Sequence, residues 1–377
     1  MGLPPYRSWV EISRDNIAHN FRTVKRAVGP DVEVMPVVKA DAYRHGAIEV
    51  SRTLESEGAR WLAVSNVEEG AVLRDAGVRA RILVMADFLP AAREALIDYR
   101  LTPVLHSLAD IAELDHLAAK RGIQAPYHLK IDSGMGRLGT CGTPAEIVAA
   151  VQAPKLAQLE GLMTHFASVG DFRVGQTDEQ LRNFDQVCSG LRDAGIPPKI
   201  VHTGSTGAIA YARRNAWRNM VRPGHAIYGY TSPARGTAPA NLLRDVRPAL
   251  VWKASVLTVK DVKEGALIGY GGIFRAPKDM RIAVLAVGYA DGLPHRLSNR
   301  GRVIACGRSV QILGAVSMDL TTIDATACPE LREGTAVTLL GREGTESIDA
   351  REIARLAGTI SYSVLCGISS RVKRVYV

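Results

Sequence analysis

The sequence predicts an α/β protein in which a (β/α)8 TIM-type barrel is followed by a mostly β C-terminal domain. The barrel is predicted because eight short apolar runs recur within roughly 230 residues, each followed by a polar turn and a stretch with helical periodicity. From about residue 244, apolar strands are instead separated by glycine-rich turns. We therefore expect a barrel domain over 1–243 and a β domain over 244–377, and residues 1–10 could pair with the second domain.

The barrel strands are expected where the apolar runs lie. In order these runs are VEVMPVVK (32–39), WLAVSN (61–66), RILVMA (81–86), LTPVLH (101–106), YHLKID (127–132), QLEGLMTH (158–165), PKIVHT (198–203) and RNMVRPG (218–224). Amphipathic helices are expected between them, several closed by a glycine at the C-terminal position. Examples are AIEVSRTLESEG, VEEGAVLRDAG, SLADIAELDHLAAKRG and DEQLRNFDQVCSGLRDAG.

The second domain is predicted from strands at SWVEIS, LVWKASVLTVKDV, MRIAVLAVGYADG, GRVIACG, SVQILG, SMDLTTID, TAVTLLG and RVKRVYV. The assignment of SWVEIS to this domain rather than to the barrel is left open. One helical segment, DAREIARLAG, interrupts this β pattern.

Composition and charge narrow the class of protein. The 377 residues are 47% apolar and 23% charged, as in a globular protein with a substantial core. The formal net charge is +9, from 47 basic and 38 acidic residues. Because the arginines are dispersed, this charge favours small anionic ligands over nucleic acid.

Localisation and metal binding are also constrained. No apolar run is long enough for a membrane span, and the N-terminal residues lack a signal-peptide layout. Five scattered cysteines, never in C-x-x-C spacing, argue against a disulfide framework and a zinc site. We expect a cytoplasmic protein without a metal, a nucleic-acid partner or a membrane partner.

The ends of the predicted barrel strands are polar. Functional residues of such barrels lie at the C-terminal ends of the strands. Helix capping could account for Asn66, His106 and Ser205, but two lysines and an arginine need another explanation. The strand-end set is Lys39, Asn66, His106, Lys130, Asp132, His165, Thr203, Ser205, Thr206 and Arg222.

Lys39 stands in VVKADAYRHG, directly after an apolar run. A buried ammonium is unfavourable unless it is paired, neutralised or made covalent. Three interpretations remain at this point: a covalent nucleophile whose pKa is lowered by burial, a phosphate-binding cation, or a half-exposed residue without a role.

Two later segments indicate a phosphate site. HTGSTG (202–207) and VRPGHAIYG (221–229) each end a strand and open a helix, in the two loops that most often bind phosphate in these barrels. Ordinary helix capping is the alternative.

The ordered motifs resemble those of the bacterial alanine racemase family over residues 36–324. The family uses pyridoxal 5'-phosphate, combines a barrel with a β domain and forms a head-to-tail homodimer. The resemblance therefore implies racemisation of L- and D-alanine, with D-alanine supplied to the cell wall. The motifs are PVVKADAYRHG, KIDSGMGRLG, THFAS, HTGSTGA, MVRPGHAIYG, IGYGGIF, VGYADGLPHRLSN and AVSMDLTTID.

The resemblance also implies residue roles. Lys39 would bind pyridoxal phosphate through its amine and then act as the base on one face of the α-carbon, while Tyr270 of the partner subunit serves the opposite face. One base per face is what racemisation needs. Arg222 would donate to the pyridine nitrogen, and His165 would bond to Arg222.

The remaining roles concern the phosphate and the substrate. Arg137 would contact the cofactor's phenolic oxygen and the substrate carboxylate, and Lys130 is a possible carbamylation site that would hold Arg137. The expected phosphate-binding residues are Tyr43, Ser205, Thr206, Gly224 and His225, and the expected substrate-pocket residues from the partner subunit are Met318, Asp319 and Tyr289.

Four positions depart from the family pattern. Arg44 replaces a glycine, and Ser205 with Thr206 replaces the usual Asn-Ser pair. Ser370, in ISSR (368–371), stands where the family carries a pocket tyrosine. Because loss of a ring leaves room for larger side chains, a serine racemase or a broader amino acid racemase is the alternative function.

Other classes fit less well. The chain lacks the glycine-rich phosphate loop and acidic C-terminal signature of barrel-fold amino acid decarboxylases. A non-catalytic pyridoxal phosphate carrier of the single-barrel type would not need a β domain or Tyr270. A barrel with purely structural ion pairs does not explain the ordered motifs.

Overall fold

The computed structural model describes residues 6–377, and the chain divides into two compact units. One unit contains Asp15–Ala42 and Ala47–Arg247, and the other contains the segment ending at Arg14 together with Tyr43–Gly46 and Pro248–Val377. The first five residues of the 1–10 segment lie outside the described residues.

The first strand, β1 (Ser8–Ile12), belongs to the second unit. The eight strands of the first unit follow the predicted order. They are β2 (Glu33–Val34), β3 (Trp61–Val64), β4 (Arg81–Val84), β5 (Thr102–Leu105), β6 (Ala125–Lys130), β7 (Ala157–Met163), β8 (Ile200–His202) and β9 (Met220–Val221).

These eight strands form the predicted barrel, so the expected α/β fold class is confirmed. Strands β3 to β8 make one parallel sheet, and β2 pairs with β9. Isolated bridges from Val37 to Ala63 and from Ser205 to Arg222 join the two sheets. Strand β2 is shorter than the predicted 32–39 because Pro36 has no N–H to donate.

The helices of the first unit lie between these strands. Gly122, with φ 64°, ends one predicted helix, and Ser107 begins it with a capping box. The chain has α1 (Arg14–Val28), α2 (Lys39–Arg44), α3 (Ala47–Ser56), α4 (Val67–Asp75), α5 (Arg93–Asp98), α6 (Leu108–Arg121), α7 (Pro144–Gln152), α8 (Gln176–Asp193) and α9 (Thr206–Ala210).

Helix α2 is left-handed after its first residue. Residues 40 to 44 have φ between 52° and 66°, and none of them is glycine. For an L-residue this conformation costs about 1–2 kcal/mol. Strain of this kind concentrates at functional sites, and here it directly follows Lys39.

We expect Ala40→Gly to raise the free energy of unfolding by about 1 kcal/mol, because glycine adopts positive φ without a Cβ clash. Ala40 is exposed and has φ 53°. The matched control is Ala112→Gly in the right-handed helix α6, where the same change should destabilise by about 1 kcal/mol. Urea unfolding measures both, and equal signs would contradict the left-handed assignment.

The second unit is mostly β. Its remaining elements are β10 (Leu250–Val262), β11 (Leu267–Ile268), β12 (Phe274–Arg275), β13 (Met280–Leu285), β14 (Arg302–Ala305), β15 (Arg308–Leu313), β16 (Thr321–Asp324), β17 (Ala336–Glu343), β18 (Glu346–Ile348), α10 (Ala350–Ala357), α11 (Ser361–Gly367) and β19 (Lys373–Tyr376). Helix α11 follows α10 directly, whereas the sequence predicted one helical segment.

Six strands of this unit close into a small barrel. The order is β17-β14-β15-β16-β13-β10, and β17 also pairs with β10. A register shift between Val256 and Thr258 interrupts the pairing of β10 with β13. Strand β1 extends the sheet, antiparallel to β10 and parallel to β19.

Candidate active site

Arg222 lies inside the barrel and is 3% exposed. Its Nη1 donates to His202 Nδ1 at 2.8 Å and to the His202 carbonyl at 2.6 Å. Its Nη2 donates to the carbonyls of Thr164 and Thr203 and lies 3.3 Å from His165 Nδ1. Burial lowers the pKa of Arg222 to about 9, so the guanidinium stays charged at neutral pH.

Among the described residues, these contacts leave one donor of the guanidinium, the Nε–H. Arginine has five N–H groups, and the bonds above use only Nη1 and Nη2. The Nε–H is therefore the donor that remains for a ligand acceptor. The partners of Nη1 and Nη2 hold the guanidinium, and so this N–H, in a fixed orientation.

Four cations lie within electrostatic range of His165. Burial lowers the pKa of His165 to about 3, and Arg222, Arg137, Lys130 and Lys39 lower it further. A neutral imidazole surrounded by positive charge favours an anionic ligand. The site therefore suits a molecule that carries phosphate, phenolate or carboxylate groups.

Lys130 ends strand β6 and is 5% exposed. Burial lowers the pKa of its amine to about 8, and the charges of Arg137, Arg222 and Lys39 act in the same direction, against Asp132. A substantial fraction of this amine is therefore neutral near pH 8.

The capping interpretation fits some strand ends and not others. Asn66 caps α4 by accepting a bond from the Glu69 N–H. Ser107, not His106, caps α6, and burial followed by the charge of Lys130 lowers the pKa of His106 to about 4. Ser205 stands at the start of α9 without a capping bond from its hydroxyl.

Asp132 organises the loop that carries Arg137. Its Oδ1 accepts bonds from the N–H groups of residues 134, 135 and 136, and its Oδ2 accepts one from Arg137 at 3.1 Å. Burial would raise the pKa of Asp132, but these four bonds outweigh it and lower the pKa. The sequence placed Asp132 at a strand end without giving it this role, and the glycines of SGMG were its only signal.

We expect Asp132→Ala to raise the KM for the substrate that Arg137 contacts about tenfold. The loop loses four bonds to a charged acceptor and no longer fixes Arg137. Asp115 supplies a matched control, since its carboxylate accepts N–H bonds from residues 155 to 157 outside the site. Asp115→Ala should destabilise similarly without changing KM. Steady-state kinetics and thermal melts separate the two, and equal KM values in both variants would contradict this role.

The predicted phosphate loops lie side by side. Thr206 Oγ1 accepts bonds from the N–H groups of Gly224 at 3.2 Å and Ala226 at 3.3 Å. The Gly224 N–H, which was expected to donate to a phosphate, therefore donates to Thr206 in this structure. His225 is buried, and its ring stacks on Tyr230 with centroids 5.2 Å apart.

Tyr43 lies in the left-handed turn and groups with the second unit. Its ring lies 6.0 Å from that of Tyr362. Burial, followed by Tyr362 and Cys366, raises the pKa of its hydroxyl well above the usual value.

Among the large apolar and aromatic residues of 6–377, Tyr270 is the most exposed, at 78%. It lies between β11 and β12, in a turn where Gly269 and Gly271 have φ near 70°. Leu267 and Ile273 of the same hairpin are also exposed. Several exposed apolar side chains on one hairpin are typical of a protein interface.

The expected substrate-pocket residues of the second unit converge. The Tyr289 N–H donates to the Ser317 carbonyl, one residue before Met318. Arg371 pairs with Asp291 at 2.8 Å and with Asp319 at 2.6 Å. The sequence did not indicate a role for Arg371. It directly follows Ser370, whose side chain is exposed.

Within residues 6–377, no His, Cys, Asp and Glu side chains gather in a group of three or more suited to a metal ion. No helix in the same range combines the length and apolar character that a membrane span requires.

The fold and the site define a barrel enzyme whose strand ends present a lysine amine, a buried guanidinium and further cations to an anionic cofactor. Residues 12–232 match the alanine racemase N-terminal domain and residues 249–376 match the alanine racemase C-terminal domain. The chain therefore belongs to the alanine racemase family.

Relatives match along the whole chain. The alanine racemase of Halothermothrix orenii is 41% identical over 372 residues, which cover 98% of this chain and 96% of that protein. The crystal structure of Bacillus anthracis alanine racemase with bound L-Ala-P has a TM-score of 0.89 at 34% identity, covering 100% and 96% of the two chains. That of the Bartonella henselae enzyme with covalently bound pyridoxal phosphate has a TM-score of 0.85 at 27% identity, covering 99% and 100%.

Proposed function

We propose that the protein interconverts L- and D-alanine with pyridoxal 5'-phosphate, using Lys39 and the Tyr270 of a second subunit as its two bases. The observation that carries the proposal is the convergence of Lys39, Lys130, Arg137 and Arg222 around His165. The full-length relationship to alanine racemases supports the same chemistry.

The residues of the site fit the cofactor. Its phosphate, phenolate and ring nitrogen are all acceptors, and the site offers mainly cations and N–H or O–H donors. When bound, the cofactor withdraws electrons from the α-carbon of an attached amino acid and so acidifies its proton. Lys39 would bind it covalently and Arg222 would donate to its ring nitrogen. The residues that would hold its phosphate are Tyr43, Ser205, Thr206, Gly224 and His225, and Gly224 would do so in place of its bond to Thr206.

Arg222 also limits side reactions. Because its guanidinium keeps its proton, it gives a hydrogen bond and not a proton to the ring nitrogen. Arg222 would thereby leave the ring nitrogen unprotonated and so disfavour transamination as a side reaction. The bonds from Arg222 to His202 and Thr164 hold the guanidinium in the orientation that this role needs.

Lys39 and Tyr270 move the proton. The base on one face removes it from the α-carbon, and the acid on the other face returns one, which inverts the centre. Arg137 binds the substrate carboxylate, held by the Asp132 loop. The lowered pKa of Lys130 supports its carbamylation by carbon dioxide, which 13C-bicarbonate labelling and NMR would detect.

We also propose that two chains pair head to tail, because Tyr270 is exposed and Lys39 belongs to the other unit of the chain. Met318, Asp319 and Tyr289 then line the partner's substrate pocket. Sedimentation of the holoenzyme tests the pairing, since an active monomer would contradict it.

The reaction takes place in the cytoplasm, where five free thiols persist.

Chiral chromatography tests the function directly. Purified protein with pyridoxal phosphate is incubated with L-alanine, and D-alanine should accumulate until both enantiomers are equal. Heat-inactivated protein is the control. Absence of D-alanine at any enzyme concentration would overturn the proposal.

Ser370 favours a second candidate, a racemase with broader specificity that includes serine. It is exposed, and by the family resemblance it stands where a pocket tyrosine is expected. We expect Ser370→Tyr to lower kcat/KM for L-serine by about tenfold relative to L-alanine, because a ring refills the space. Ser370→Ala leaves the space open and serves as the control, and an unchanged serine-to-alanine ratio in Ser370→Tyr would remove this candidate.

A further inference from the structure

A chain of polar side chains runs through the barrel from Arg222 towards the amino ends of the strands. His202 Nε2 lies 2.7 Å from His128 Nδ1, and His128 Nε2 lies 3.7 Å from Glu160 Oε2. Arg81 grips both oxygens of Glu160 at 2.6 and 2.7 Å. The interior of such a barrel is usually filled by apolar branched side chains, so this column needs an explanation.

The groups at the two ends of this series of side chains, Arg222 and Glu160, determine where each imidazole proton lies. Arginine only donates, so His202 Nδ1 must accept and its proton must be on Nε2. That proton is donated to His128 Nδ1, which places the proton of His128 on Nε2. The carboxylate of Glu160 only accepts, and it faces this N–H.

Glu160 is the partner that His128 requires. His128 is fully buried, and its Nε2 has no hydrogen bond within 3.5 Å among the described residues. A buried N–H without an acceptor is costly, and the nearest acidic oxygen is that of Glu160. Burial lowers the pKa of both histidines, which keeps each ring neutral with a single proton.

The surroundings hold the His128 ring in place. A Cβ at Gly161 would lie 2.5 Å from His128 Nδ1, although Gly161 does not have a positive φ. Glycine is therefore needed there for space and not for backbone freedom. The Trp61 ring centroid lies 5.5 Å from that of His128, and the Arg81 guanidinium lies 3.9 Å from the Trp61 ring centroid.

We propose that Glu160, through His128 and His202, is a positioning residue for the reaction. It fixes which ring nitrogen of each histidine carries the proton (the proton order), so that His202 Nδ1 is unprotonated and accepts from Arg222. Arg222 is then held for the cofactor's ring nitrogen by a chain whose far end lies on the opposite side of the barrel. The inference rests on the proposed function for its effect on catalysis, but the proton order can be measured independently.

The test replaces Glu160, the hydrogen-bond acceptor at the far end of this series of side chains, by a donor. In Glu160→Lys both ends donate, and two neutral imidazoles cannot satisfy both, so one link must break. We expect kcat to fall about tenfold with KM within about twofold, because Arg222 loses its fixed position. Glu160→Gln keeps an acceptor and should lose only about twofold.

The control and the direct readout accompany these variants. Glu330→Lys also reverses a charge opposite an arginine, Arg308, and should leave kcat unchanged. In the wild-type holoenzyme, 15N NMR of labelled histidine should show His128 and His202 neutral and protonated at Nε2, and in Glu160→Lys this pattern should be lost. Protonation of His128 at Nδ1 in the wild type, or a Glu160→Lys enzyme with unchanged kcat, would overturn the proposal. A wild type without racemase activity but with this proton order would instead refute the proposed function alone.

Discussion

Replacement of Lys39 by alanine should abolish racemisation, with a loss of at least about 10³-fold in kcat/KM, since the chain would lose both its covalent attachment to the cofactor and one of its two bases. Lys39 is the first residue of the left-handed helix α2 and lies within electrostatic range of Lys130 and His165. After borohydride reduction, mass spectrometry should find the cofactor attached to the wild type and not to Lys39→Ala.

The control for Lys39→Ala separates charge from covalent chemistry. Lys39→Arg keeps the positive charge that the site places near His165, but a guanidinium does not form the covalent bond. Both variants should therefore be inactive, and added methylamine should partly restore turnover only in Lys39→Ala, where space for it exists. Substantial activity in Lys39→Arg would contradict the covalent role.

Replacement of Tyr270 by phenylalanine should lower kcat/KM about 10²- to 10⁴-fold, the range expected for loss of a general acid–base group. The change removes one hydroxyl and keeps the exposed ring that we assign to the subunit interface. Because the two enantiomers have equal energies, kcat/KM must fall equally in both directions. Tyr289→Phe removes a hydroxyl from another exposed tyrosine and should lose far less.

The isotope effect identifies which face Tyr270 serves. With α-deuterated L- and D-alanine, Tyr270→Phe should show a larger deuterium effect in only one direction, because only one direction begins with proton removal on that face. Equal isotope effects in both directions, with a small loss of rate, would mean that Tyr270 is not a base.

Much of the fold could be predicted because it depends on local patterns. Strand β10 begins and ends at the residues of the LVWKASVLTVKDV run, and Gly122 ended α6 where a glycine was expected. The left-handed turn could not be predicted, since Ala40 to Arg44 carry no glycine that would indicate positive φ. Its conformation is imposed by the surrounding structure against local preference.

The site was predictable in its residue types but not in its connections. The motif around Lys130 indicated Arg137, but the four bonds of Asp132 depend on how the loop folds back. His128 looked like one residue of an apolar strand, and only the packing of β6, β7 and β8 brings it to His202 and Glu160. Arg371 was likewise hidden, because its partners Asp291 and Asp319 lie far away in the sequence.

The most direct test of the two-base, two-subunit account is complementation between inactive variants. Lys39→Ala and Tyr270→Ala chains, each inactive alone, are co-expressed with different affinity tags, and the mixed dimer is purified. Such a dimer has one site with both mutations and one with neither, so it should show about half of the wild-type kcat per dimer, while random mixing without purification should give about a quarter. A mixed dimer as inactive as its parents would show that Lys39 and Tyr270 do not meet across subunits, and the central claim would be wrong.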